Sequence, residues 1–160
     1  MLAIDDIELA RALHVLAVAH WIGGVSFVTL VALPLARATG DPKRGWALFE
    51  SIERRFAAQV RISILIAGLT GLWMTWRLDL WSAFREPVFW WMDAMVMVWT
   101  LFVVIVFIVE PLAHKRIGLL ATREPVGLLT RLFRAHLLLL AVGAITILGA
   151  VAGVHGGLFR

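Results

Sequence analysis

The chain has 160 residues, 61% of them hydrophobic and 16% charged, with a mean hydropathy of +0.89. Ordinary soluble domains are less apolar and more charged, so a water-soluble globular fold is excluded. The net charge of +4 falls on short connections with no soluble basic domain to hold a duplex, so it points to topology and anionic lipid, not nucleic acid.

Four apolar runs, at about 12–36, 56–76, 88–109 and 135–159, each come near the ~20 residues needed to cross ~30 Å of hydrocarbon. Stretches this long lack the apolar/polar alternation of barrel strands, and each must satisfy its own backbone hydrogen bonds. An all-α fold follows: an integral membrane, four-helix, up-down-up-down bundle in a lipid bilayer, a single transmembrane domain over residues 1–160. With no cysteine, disulfides and thiolate metal sites are both excluded.

In chain order, span one is preceded by Asp5, Asp6 and Glu8 and not by a basic region. It therefore reads as a retained helix, with Met1 as the expected mature start. Asp41-Pro42 marks a helix entry. Trp46, Phe49, Ile52 and Phe56 then recur at spacings of three and four among basic residues, which predicts an interfacial helix at about 43–56. Trp73, Trp76, Trp81, Trp90 and Trp91 gather near the outer boundary as an aromatic belt. Arg85-Glu86-Pro87 closes the outer loop, and Glu124-Pro125 breaks the inner one. No internal repeat is evident.

Orientation comes from the basic residues. The connection between spans one and two carries Arg37, Lys43, Arg44, Arg54, Arg55 and Arg61, and that between spans three and four carries Lys115, Arg116, Arg123, Arg131 and Arg134. Both are expected to be cytoplasmic, with both termini periplasmic and the chain in a bacterial inner membrane.

The histidines carry the functional signal, since an imidazole in hydrocarbon is a site hypothesis by default. His14 and His155 should lie at the same outer level, with His20 about two turns below His14. His136 opens span four at the inner rim, and His114 lies past Pro111 in a basic loop where solvation explains it. A structural histidine bonded to a carbonyl is the bland alternative for His20. His14, His20 and His155 on facing helices suit haem b, whose iron takes axial imidazoles. His136 is a further candidate for a second haem. Gly23, Gly24, Gly68, Gly71, Gly149 and Gly153 offer room for a flat ring, although helix packing in lipid uses the same residues. Arg11 or Arg77 could pair with propionates. The second chemistry is copper, with Met95 and Met97 of span three joining His14, His20 or His155 as soft and imidazole ligands. Asp93 is placed to orient an outer histidine, and Glu110 to pair with Arg61.

Leu13-His14-Val15-Leu16-Ala17-Val18-Ala19-His20-Trp21-Ile22-Gly23-Gly24 resembles the first-helix pattern, Leu-His then Trp-x-Gly-Gly, of the copper-resistance protein D family. It is also similar to the histidine-bearing first helix of the membrane protoporphyrinogen oxidases. Arg55-Phe56 with Arg61, then Gly68-Leu69-Thr70-Gly71-Leu72, is similar to the Arg-Phe and Thr-Gly-Leu pattern of the next helix in the copper-resistance group. The likeness covers spans one and two, roughly a third of the chain. It implies a small helical membrane protein that binds haem b or copper, with His14 as the carried-over ligand. The oxidase group has a lysine in a later helix that span three lacks, with Trp91-Met92-Asp93 in its place, a departure that counts against that activity; a membrane haem oxidoreductase is the enzymatic alternative.

The functional expectation is thus a haem b protein that passes electrons, working with a membrane redox partner or a second copy of itself. A copper-handling transporter or accessory protein, and a cofactor-free structural subunit of a membrane complex, are the alternatives.

Overall fold

A computed structural model describes residues 5–154, and the predicted ligand His155 lies outside the described residues. Among these residues the chain is all helix and turn, with no strand. Four helices are long and apolar enough to cross a membrane: α1 Asp6–Arg37, α2 Pro42–Arg77, α3 Pro87–Arg123 and α4 Pro125–Gly153.

These helices contain 32, 36, 37 and 29 residues, so each is ~44–56 Å long and outruns its apolar stretch. Residues 43–56 are helical, yet they form the first part of α2 and not a separate interfacial helix. The physical reason is local. Asp41 caps the helix by accepting from the Lys43 and Arg44 backbone N–H groups, Pro42 occupies the first turn, and no proline follows before Arg77. The turn ahead of the cap uses Gly40 at φ 73°, a conformation that glycine adopts without penalty.

Two prolines lie inside the long helices, one of them, Pro111, expected to precede a loop. Pro34 is preceded by a π-helical turn at Val28–Ala32, and Pro111 by one at Ile105–Val109. Proline lacks an N–H and crowds the carbonyl one turn back, and the wider π turn accommodates that without breaking the helix. His114 therefore sits exposed on α3 and not in a loop. Glu124 does end α3, and Pro125 starts α4 at once.

α1 and α2 pack along their lengths, and residue numbers fall along α2 as they rise along α1. Asp6 meets Arg77, His14 meets Thr70, His20 meets Ser63, and the Ala36 carbonyl lies against Gly45. One buried cluster joins Trp21 and Val25 of α1 to Val60 and Ile64 of α2 and to Val98, Phe102 and Val106 of α3. Trp21 and Phe102 meet edge to face at 4.7 Å. A second cluster at the π-turn level packs Val28, Leu33 and Ala36 on Phe49 and on Leu129 of α4. The outward side chains are apolar as well, including Leu69, Leu138 and Leu148 at 66–69% exposure, as befits helices whose solvent is hydrocarbon.

Candidate imidazole site on the first two helices

The polar groups between α1 and α2 form a ladder of three rungs. At one end the Asp6 carboxylate accepts from Arg77 Nε at 2.8 Å and Nη2 at 3.2 Å, and from the Trp73 indole at 3.3 Å. Arg77 is thereby engaged in holding the ends of α1 and α2 together, while Arg11 stays exposed.

The second rung is His14, half-buried, whose Nδ1 lies 2.9 Å from the Ala67 carbonyl and 3.1 Å from Thr70 Oγ1. A carbonyl can only accept, so Nδ1 bears the proton. The Thr70 hydroxyl donates to the Ile66 carbonyl at 2.6 Å, which leaves its oxygen to share the imidazole proton with Ala67. The ring stands over Gly71, where a Cβ would come within 3.2 Å of Cε1.

His20 makes the third rung, with Nδ1 2.8 Å from Ser63 Oγ. The Ser63 hydroxyl has the Gln59 carbonyl 3.3 Å away as its other partner, so it can accept from His20 Nδ1 or donate to it. In an apolar helix a serine or threonine hydroxyl commonly bonds back to the carbonyl one turn earlier. His14 is held in the Nδ1–H tautomer by the Ala67 carbonyl, and a Ser63 proton directed to Gln59 puts His20 in the same state. Among the described residues nothing bonds either Nε2, the nitrogen that keeps its lone pair in that tautomer. His14 and His20 are six residues apart, a rise of ~9 Å, so they serve two separate positions and not one ion.

The other candidates do not join this ladder. His136 donates from Nδ1 to its own Leu132 carbonyl at 2.9 Å and packs edge to face on Phe49, a self-contained arrangement. Met97 is 65% exposed and Met95 half-buried, and their two-residue spacing turns them to different faces of α3. Asp93 is half-buried with no bonded partner among the described residues. Arg61 does pair with Glu110, Nη2 to Oε1 at 3.1 Å, tying α2 to α3. No group of three or more histidine, aspartate or glutamate side chains among the described residues is arranged to hold a metal ion.

Room for a ring inside the bundle is the next question, and the glycines answer it. Gly68 receives the Trp99 indole, whose N–H donates to the Ile64 carbonyl at 2.8 Å. Gly149 receives Trp90, Gly153 receives Trp91, and Gly24 receives Phe56. At Gly24, Gly68, Gly149 and Gly153 this chain's own aromatics fill the notches that a flat ring would need, whereas Gly71 meets only His14 and Gly23 meets nothing within 4 Å. His14 and His20 lie half-buried and exposed, respectively, at the α1–α2 pair. There the donor chemistry fits a haem iron: a neutral imidazole held at Nδ1 by protein acceptors, with Nε2 open.

Ser63 and Thr70 are the residues that sequence reasoning passed over. They stand seven apart on one face of α2, as His14 and His20 stand six apart on α1, and that matched spacing is the signal that identifies them. No family model, curated protein or solved structure matches the chain.

Proposed function

We propose that this chain is a four-helix, up-down-up-down inner-membrane protein, both termini periplasmic, that holds haem b through an imidazole of α1 and passes electrons. One observation carries the reading. His14 gives its Nδ1 proton to acceptors on α2, and among the described residues nothing bonds its Nε2, the state an axial ligand must be in; His20, bonded at Nδ1 to Ser63, can take the same state. A bound haem would supply one-electron chemistry. The residues of this chain then have distinct duties: His14 or His20 to ligate, Thr70, Ala67 and Ser63 to orient, and Arg11 to offer a cation at the outer end. The filled glycine notches favour a ring bound beside the α1–α2 pair over one in the bundle centre.

The same notches favour a second reading, a cofactor-free structural subunit, because close helix packing alone explains them. The separated methionines give the copper reading no comparable support. The test is the absorption spectrum of protein purified from haem-replete cells, oxidised and reduced. A Soret band that shifts on reduction, and that is lost in His14→Ala or in His20→Ala, supports haem and identifies the ligand. A colourless wild-type protein that co-purifies with a stoichiometric partner supports the structural reading.

A further inference from the structure

The outward face of α1 bears a shallow depression of about 500 Å³ lined by Glu8, Arg11, Ala12, Val15, Leu16 and Ala19. Its floor is Ala12 and Ala19, and Val15 and Leu16 project beside it at 61% and 67% exposure. Four residues beyond Ala19, Gly23 is exposed, with nothing within 4 Å of where a Cβ would stand. The face thus carries both a hole and the side chains that would fill one, and its Ala19-x-x-x-Gly23 spacing permits close helix approach. At its mouth, Glu8 and Arg11 make no ion pair among the described residues.

Charge complementarity identifies the occupant. Two copies inserted with the same topology can be related by a two-fold axis only along the membrane normal, so their α1 helices run parallel and like residues meet at like depth. Glu8 of one copy then lies one turn, ~4.5 Å along the axis, from Arg11 of the other, and the pairing occurs twice. Lipid could fill the depression with an acyl chain and meet either charge with a headgroup, but a second copy presents Glu8 and Arg11 at fixed, matching depth twice over. We infer that this face of α1 is a self-complementary interface with a second copy of the chain, closed by reciprocal Glu8–Arg11 pairs above Ala12, Val15, Ala19 and Gly23. His20 borders the face, three residues from Gly23, so pairing would shield the α1 imidazole most exposed to lipid. The inference stands on packing and charge and does not depend on haem.

The chain lacks cysteine, so single cysteines report contacts cleanly. In native membranes treated with a mild oxidant, Ala19→Cys is expected to form a disulfide-linked dimer, whereas Leu69→Cys, 68% exposed on α2, is not. Adding Glu8→Arg or Arg11→Glu to Ala19→Cys should lower the cross-linked fraction about ten-fold. Co-expressing those two charge variants under different tags should restore it, in the mixed dimer alone, because one chain then presents two cations and the other two anions. Equal cross-linking at positions 19 and 69, or charge variants that behave alike alone and mixed, would overturn the interface and leave lipid as the occupant. Neither result bears on whether the protein carries a Soret band.

Discussion

His20 Nδ1 stands 2.8 Å from Ser63 Oγ, and the serine has the Gln59 carbonyl 3.3 Å away as its other partner, so the direction of one hydroxyl determines which imidazole nitrogen is free. His14 has two acceptors, Ala67 and Thr70, for the same purpose. That difference in redundancy has measurable consequences.

Ser63→Ala removes the one partner that His20 Nδ1 has among the described residues, while Thr70→Val leaves the Ala67 carbonyl in place for His14. A polar group left unpaired in an apolar surround costs ~1–3 kcal/mol, and loss of one of two acceptors costs less. Thermal unfolding in detergent should therefore rank Ser63→Ala below Thr70→Val. If His20 ligates iron, Ser63→Ala should also weaken haem binding by about 10–100-fold. Equal stability of the two variants would count against the assigned tautomers.

The filled notches make a second prediction. Gly149→Ala and Gly68→Ala place a methyl group against Trp90 and Trp99 and should each lower stability by ~1–3 kcal/mol. Gly118, with open space around its missing Cβ on exposed α3, gains helix propensity on substitution, so Gly118→Ala should be neutral or stabilising by ~0.5–1 kcal/mol. Melting temperatures of the three variants in one detergent check the order.

Trp21 is 4% exposed and its buried indole nitrogen has no hydrogen-bond partner among the described residues. Replacing it by phenylalanine removes an unsatisfied donor and keeps a ring against Phe102, so Trp21→Phe should cost less than ~1 kcal/mol. Trp21→Ala empties the centre of the main core and should cost ~3–5 kcal/mol. A severe loss in Trp21→Phe would mean that the N–H has a partner, such as a buried water.

The proposed orientation is testable with the same cysteine-free background. Ser82→Cys, in the connection before α3, should react with a membrane-impermeant maleimide in intact cells. Ala38→Cys, between α1 and α2, should react only after permeabilisation. The reverse pattern would invert the topology.

Helix class and the four apolar runs were legible because hydrocarbon requires long apolar sequence whatever the tertiary contacts. The helix ends were not. The amphipathic spacing of residues 43–56 showed a helix but not that it runs on unbroken into the next span, and Pro111 with the charged residues after it read as a loop although a π turn carries the helix through. The Arg61–Glu110 pair was readable from matching depth and opposite charge. The glycines were not readable as aromatic seats, because spacing shows that a notch exists and says nothing of which tryptophan enters it. Ser63 and Thr70 escaped notice for a related reason: a hydroxyl in an apolar helix usually satisfies itself, and its second role appears only once the partner helix is in register.

The most direct test of the central claim is titration of the purified, haem-free protein with haem b in detergent, followed by its Soret absorption, in wild type, His14→Ala, His20→Ala and His136→Ala. The account predicts saturable, stoichiometric binding in wild type, its loss in one of the two α1 variants, and little change in His136→Ala, whose ring is already engaged with Leu132 and Phe49. Binding that is absent from wild type, or that survives both α1 substitutions, would contradict it.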